Sequence, residues 1–520
     1  MFPSSVIAAS NSRLPEEGIS GYALIGPDVV LGDDGGRAYG AVPPDADGAY
    51  VTVTRSGTTA TVGTDTSGYA RLFVYEHADH WAIGSSLLEL AQWVHEARWH
   101  LDGDPDQVSV FLFENAIGNQ LVSERTAFRQ IRLVPLGARV TITSGRRRRY
   151  RVDPPVAVPA WSSFGGMLRQ GLWEVASRAR TLIHSGIPLV ADVDGGRDFR
   201  VVLAALLAGN DTGRPIGELV RFRCDRNRPE VFAAAQALDD EYDLRLNRRT
   251  GIARSLIDPD QGFSEWRRND LGVYGPIYPY RSSNGEFQIS GAGGEAHRRI
   301  YKSPSMAAVL AQATPAEVTP SAVASLTAAM NASLELTVRG GADPRVRHFS
   351  EYRERLHGGR PALRQPIFAP LADGVLRRAS RLRDPSGDLG AQITVDVIRN
   401  LAPDLLTIPL EPGSKHFPKR QVSGATTVSL KPVTTGTVFG TMPEAPATDA
   451  AQQRQVLEPF RSAFVEAARR VRIAGTLPES VLDRAAAVLE QSADRDRLPH
   501  AADGKAVAAV LLAGEIDRLT

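Results

Sequence analysis

The chain has 520 residues, 42% of them hydrophobic and 23% charged, an ordinary globular composition that is long enough for two or three domains with sizeable cores. With 60 Lys and Arg against 59 Asp and Glu the net charge is +1, so the composition implies no general attraction to nucleic acid or to an anionic membrane. Cys224 is the single cysteine, which excludes an intramolecular disulfide framework and a cysteine-cluster metal site. The opening stretch lacks both a basic region and a sustained apolar core, and no run approaches the ~20 apolar residues of a membrane span, so the expected location is the cytoplasm.

From Gly21 to about Val152 short strand-like runs alternate with Gly, Pro and Asp: residues 50–54, 59–63, 72–75, 81–84 and 139–143. Apolar residues at helical spacing predict helices over 87–98 and 108–115. His95 and His100 are five apart, one too many for the helical His-Glu-x-x-His zinc pattern, so that segment reads as a surface helix. His77 and His80, flanking Asp79, read as a turn, and the basic run 146–149 as a solvated strand edge.

The run Pro154-Pro155-Val156-Ala157-Val158-Pro159 is the clearest break in composition and separates segment 1–155 from 160–435, and an Ala- and Arg-rich helical tail makes a third segment, 436–520. Residues 164–185 then predict a long amphipathic helix with Leu168, Leu172, Val175, Ala176, Ala179 and Leu182 on one face. Residues 187–191 fit a parallel strand covered on both faces, and 201–207 a helix packed against such a sheet. Between them lies Asp194-Gly195-Gly196-Arg197-Asp198-Phe199-Arg200. Adjacent glycines let backbone N–H groups approach a ligand, and a helix start favours an anion such as pyrophosphate, although the same glycines also suit a plain strand-to-helix turn.

A strand over 219–223 and a helix over 229–242 follow, giving the strand–helix alternation of a mostly parallel sheet with its ligand at the carboxyl ends of the strands. A second glycine-rich stretch, Ile289-Ser290-Gly291-Ala292-Gly293-Gly294-Glu295, precedes Arg298 and Arg299. Beyond Tyr301 helices are expected over 304–310, 320–336 and 345–356, and in the tail over 452–473, 478–491 and 506–519. Leu457, Phe460, Phe464, Ala467 and Val471 make one apolar face, read as a packing element or a homodimer surface.

The two glycine motifs, in this order and spacing, resemble those of the asparagine synthetase family of ATP-pyrophosphatases. The resemblance extends over the first segment, where 64–75 and 118–137 are similar to the family's glutaminase-type domain, and over 365–373 and 401–409 in the second. It implies an α/β protein: an N-terminal Ntn-hydrolase-like α+β sandwich without the nucleophilic cysteine, then an α/β ATP-pyrophosphatase domain of the adenine nucleotide α-hydrolase kind, with a helical tail. Carried over position by position, Gly195, Gly196, Arg197, Gly291, Gly293 and Gly294 would hold the phosphates of ATP, and Asp198 and Glu295 would hold Mg²⁺. Arg200, with Lys415 or Lys419, would face the charge developing on the acyl-adenylate.

Four positions depart from the family pattern. Asp194 stands where Ser or Thr is usual, so it is either a like charge facing the triphosphate or an extra metal ligand, and Phe199 replaces a second Ser. Ala292 stands where relatives carry an acidic or tyrosyl residue, and Leu410 where they carry a lysine. The chain begins Met1-Phe2, whereas a working glutaminase needs an N-terminal cysteine, so no glutamine-derived ammonia is expected. The resemblance therefore implies an amide ligase that takes its amine from the substrate, as lasso-peptide cyclases do in the biosynthesis of ribosomally made peptide natural products. A small-molecule or peptide substrate bearing a carboxylate and an amine would then be joined by a leader-peptide-binding protein or a protease as partners. The alternative is a catalytically lapsed relative acting as a binding or scaffold partner.

Overall fold

The computed structural model describes residues 6–114, 116–145, 148–155, 163–248, 258–278, 285–337, 343–410, 416–442, 457–494, 498–499 and 503–520. Lys415, residues 156–159 of the proline-rich break, Arg146, Arg147 and residues 452–456 of the expected tail helix lie outside them.

In chain order the first strands are β1 (Val6–Ala9), β2 (Gly18–Ile25), β3 (Asp28–Leu31), β4 (Asp47–Ser56), β5 (Thr59–Thr64), β6 (Phe73–His77), β7 (His80–Gly84), β8 (Ile131–Leu133), β9 (Arg139–Thr143) and β10 (Arg149–Asp153). They form two antiparallel sheets, ordered β1-β7-β6-β8 and β10-β9-β5-β4-β2-β3. Strands β4 and β5 are joined through Gly57, whose φ of +57° suits a two-residue hairpin turn between the paired residues Ser56 and Thr59.

Side chains alternate across each strand as a two-faced sheet requires. Val74, Trp81 and Ile83 point into a core shared with Val51, Val62, Val140 and Ile142 of the other sheet. Phe73, Tyr75 and Ala82 point the opposite way, into a core with the helix Leu87–Glu96 and the helix Gly504–Leu519. On the far side of the larger sheet, Ile19, Ala23, Val30 and Tyr50 are covered by Tyr39 and Phe439.

The central sheet of the following segment is wholly parallel: β11 (Leu189–Asp192), β12 (Val220–Arg223), β13 (Phe287–Ile289) and β14 (Ile367–Phe368), ordered β12-β11-β13-β14. Leu189, Val190 and Ala191 are buried, as expected of a strand covered on both faces by helices. The helix Phe164–His184 packs on the helices Arg197–Gly209 and Gly374–Arg383. Finally β15 (Val438–Phe439) runs parallel to β3 and extends the larger antiparallel sheet.

The helix expected over 108–115 is instead an α-helix over Pro105–Ser109 that tightens into a 3-10 turn over Val110–Leu112. The helix expected over 345–356 is α-helical only over Pro344–His348 and widens into a π-helix over Phe349–Gly358. The extra residue per turn turns Glu351, Glu354, Arg355 and Leu356 all inward. In the tail, Phe460, Phe464 and Val471 are covered within the chain by Phe263, Trp266 and the helix Gly504–Leu519. This core takes residues from all three segments of the chain.

The sheets are joined through Arg178, buried on the helix Phe164–His184. Its Nη1 donates to Asp47 of β4 at 2.8 Å and to Asp373 at 2.9 Å, its Nη2 to Glu174 at 2.8 Å, and its Nε to the carbonyl of Gly26 at 2.8 Å. Asp373 caps the helix Gly374–Arg383 by accepting from the Leu376 N–H at 2.8 Å. Asp47 also accepts from Thr66 Oγ1 and from the Gly374 N–H. Removing one partner of such a buried cluster strands the others without compensation. Arg178→Met should cost about 3–5 kcal/mol of unfolding free energy, read from urea denaturation.

Candidate functional site

The parallel sheet has β12 on one side of β11 and β13 on the other, so the loops leaving β11 and β13 diverge and open a crevice at the carboxyl ends. Both glycine motifs occupy these loops. They meet at Asp198, in the first turn of the helix Arg197–Gly209. A Cβ at Gly294 would lie 2.3–2.4 Å from the Asp198 carboxylate, and one at Gly291 would lie 3.0 Å from its Cβ. Gly293, at φ +93°, brings the same loop against the backbone of Leu371 and Ala372. The absence of side chains at Gly291 and Gly294 is therefore what admits the carboxylate.

Asp198 is held up to about 6, first by burial and then by Asp194, Glu295 and Glu354, with Arg298 opposing. Glu295 is half exposed and 3.6 Å from Arg298. Arg298 thus faces acidic groups that come from both motifs and from the π-helix, with Arg197 also within electrostatic reach of Asp198. Glu354 had no sequence signal, because a π-turn leaves no periodicity to read; it is fixed by Tyr69 Oη at 2.7 Å and Arg377 Nη2 at 3.2 Å.

The remaining expected residues fall in distinct places. Asp194 is exposed, and its Oδ1 accepts the Gly196 N–H at 2.9 Å, so a carboxylate of the chain itself occupies a donor at the helix start. Gly195 takes φ +69°, with the side chain of Ala234 closing off the space a Cβ would need. Arg197 turns away, its Nη1 3.5 Å from the Gly390 carbonyl and its guanidinium 5.8 Å from the Phe417 ring. Phe199 points into the core, edge-on to Phe222 at 6.2 Å, and leaves the crevice unplugged.

Arg200 is fully buried and donates through Nη2 to the Pro409 carbonyl, while its Nε and Nη1 have no hydrogen-bond partner among the described residues. Burial lowers it to about 10. Lys419 opens a short helix, Lys419–Ser423, and is exposed; Leu410 is in the core. Beside the crevice, between the ends of β11 and β12, is an open cleft of about 510 Å³ lined by Asp194, Arg223, Cys224, Asp225, Arg228 and Val231. Arg223 pairs with Asp192 at 2.7 Å.

Among protein-family models and curated proteins, none matches the chain. Among the described residues no helix is long and apolar enough to cross a membrane. The one group of three acidic side chains there with oxygens within 4.8 Å of one another is Asp47, Glu174 and Asp373. The guanidinium of Arg178 lies among these carboxylates and supplies the positive charge, so the group is an ion cluster holding the fold together.

A carboxyl raised from 3.8 to about 6 makes the folded chain take up its proton before the unfolded chain does, so this group's contribution to stability falls as pH rises from about 4 to about 6. Asp198→Asn should raise the thermal midpoint at about pH 7.5 in metal-free buffer and leave it unchanged below about pH 4, as measured by calorimetry.

Proposed function

We propose that the protein is an ATP-dependent, AMP-forming amide ligase resembling asparagine synthetases. The substrate carboxylate would attack the α-phosphate of ATP and release pyrophosphate, and a substrate amine would then displace AMP. The observation that carries the reading is the meeting of the two glycine turns around Asp198 at the point where the strand order diverges. The adjoining cleft of about 510 Å³ has the size of a small-molecule site.

Within this reading Asp198 and Glu295 are the ligands for magnesium, and the donor set suits a hard cation that keeps much of its water. The fit is supported by the burial of Asp198 among other acidic groups, which raises it, since a divalent ion would compensate both. Magnesium held there would neutralise the triphosphate. Gly195, Gly291, Gly293 and Gly294 belong to the two loops that meet at Asp198, and their backbone N–H groups would orient phosphate oxygens. Arg298, next to Glu295, balances charge at the metal side. Arg200 has two unpartnered nitrogens among the described residues, and these serve the charge that develops on the adenylate. Amine and carboxylate from one peptide would give the cyclisation chemistry of lasso-peptide cyclases.

A second reading, a lapsed enzyme kept as a binding partner, is favoured by one observation: Asp194 already takes the Gly196 N–H that an incoming phosphate would use. At ~4 Å two like charges repel by ~4 kcal/mol at the effective dielectric of a protein surface, enough to suppress nucleotide binding.

Calorimetry with Mg-ATP and pyrophosphate release with candidate peptide substrates separate the two. As a ligase, the wild-type protein should bind Mg-ATP and release pyrophosphate, and Asp198→Ala should abolish both. Nucleotide binding that appears only in Asp194→Ser, with a gain of tenfold or more, is the outcome of the second reading. Absence of nucleotide binding in wild type and Asp194→Ser alike would overturn the ligase.

A further inference from the structure

We propose that an arginine-lined cavity between the antiparallel sheets and the helix Gly374–Arg383 is a second binding site, for a dianionic, phosphate-bearing small molecule. The cavity holds about 360 Å³ and shares no residue with the two glycine loops. Arg377, Arg378 and Arg381 line it from one face of that helix, Arg347 from the adjoining helix and Arg139 from the start of β9. Gly374 continues the same face, and a Cβ there would sit 3.6 Å from Arg378 Nη1.

Two of the acidic groups lining the cavity already have partners. Asp65 accepts the backbone N–H groups of Ser67, Tyr69 and Ala70 at 2.9–3.0 Å. Glu351 accepts from the Leu136 N–H at 3.1 Å and lies 3.5 Å from Arg347. Arg377 gives one nitrogen to Glu354. The side chains of Arg139, Arg378 and Arg381 make no hydrogen bond or ion pair with a described residue, and the Nε atoms of Arg377 and Arg378 are buried without a hydrogen-bond partner there.

Five guanidiniums against Asp45, Asp65 and Glu351 leave a surplus of two positive charges, 5 − 3 = 2, in the lining. Burial weakens the acidic side further, raising Asp65 to about 6 and Glu351 above the usual carboxylate range. Arg381 is lowered to about 10 by burial and then by Arg377 and Arg347, with Glu351 opposing, so like charges crowd it beside a single carboxylate. Planar guanidinium forks match phosphate oxygens in pairs, and a dianion cancels the surplus. At ~30 Å³ per water-sized group the space takes about a dozen such groups, the size of a sugar phosphate.

The test uses the full chain with ribose 5-phosphate as probe and succinate as a dicarboxylate of equal charge, both without magnesium. Ribose 5-phosphate should raise the unfolding midpoint of wild type and of Asp198→Asn alike, and bind by calorimetry. In Arg378→Gln/Arg381→Gln the rise should vanish and affinity fall at least tenfold; Arg139→Gln, at the first residue of β9, gives the same reading should the double variant not fold. Mg-ATP binding in these variants should match wild type, so the ligase reading and this one fail separately. No response in wild type, a response that survives in both variants, one lost in Asp198→Asn, or an equal response to succinate would each overturn the proposal.

Discussion

One guanidinium, that of Arg178, holds the two halves of the molecule in register. It takes a carboxylate from β4, a carbonyl from the turn after β2, a carboxylate from its own helix and the capping carboxylate of the helix that follows β14. Each of these contacts fixes a different element, and the capped helix is the one that carries Arg377, Arg378 and Arg381 into the cavity. Burying three carboxylates with one cation is costly unless the remaining lone pairs are satisfied, and here Thr66, Gly374 and Leu376 satisfy them. The placement of the parallel sheet against the antiparallel sheets rests on this polar joint as well as on apolar packing.

The crevice at the end of the parallel sheet shows how glycine makes a site by subtraction. Gly291 and Gly294 leave room for a carboxylate that would otherwise be excluded, and the burial this produces, followed by the neighbouring acids, is what raises Asp198. Asp194 works in the opposite direction. By accepting from Gly196 it completes the helix start with a group of the chain's own, so an incoming anion competes with a tethered one whose effective concentration is high.

Several elements were legible from residue pattern alone. Strand β9 and the helix Pro229–Tyr242 match their expected bounds, because alternation in one and a proline at the helix start in the other leave sharp signals. Strands β1, β2, β3, β8 and β10 escaped that reading: three or four residues, or a charged edge such as Arg149–Asp153, carry too little periodicity, and β2 is interrupted by Gly21 and ends in the unbroken apolar run Tyr22–Ile25. The two glycine turns were visible as motifs, and their apposition follows from strand order, which a single sequence does not display. Glu354 and the arginine cavity were invisible for a related reason, since their residues are far apart in the chain and are gathered by a π-turn and by sheet packing.

The short strand β15 has a consequence for how the molecule is made. It lies beside β3, so an edge laid down within the first 31 residues waits for a neighbour that leaves the ribosome only after residue 439. Throughout that interval the backbone of β3 faces outward with its pairing groups open, a template for any extended segment nearby. Wrong strand pairing at β3 is thus a hazard of synthesis that ends only when residues 438–439 arrive.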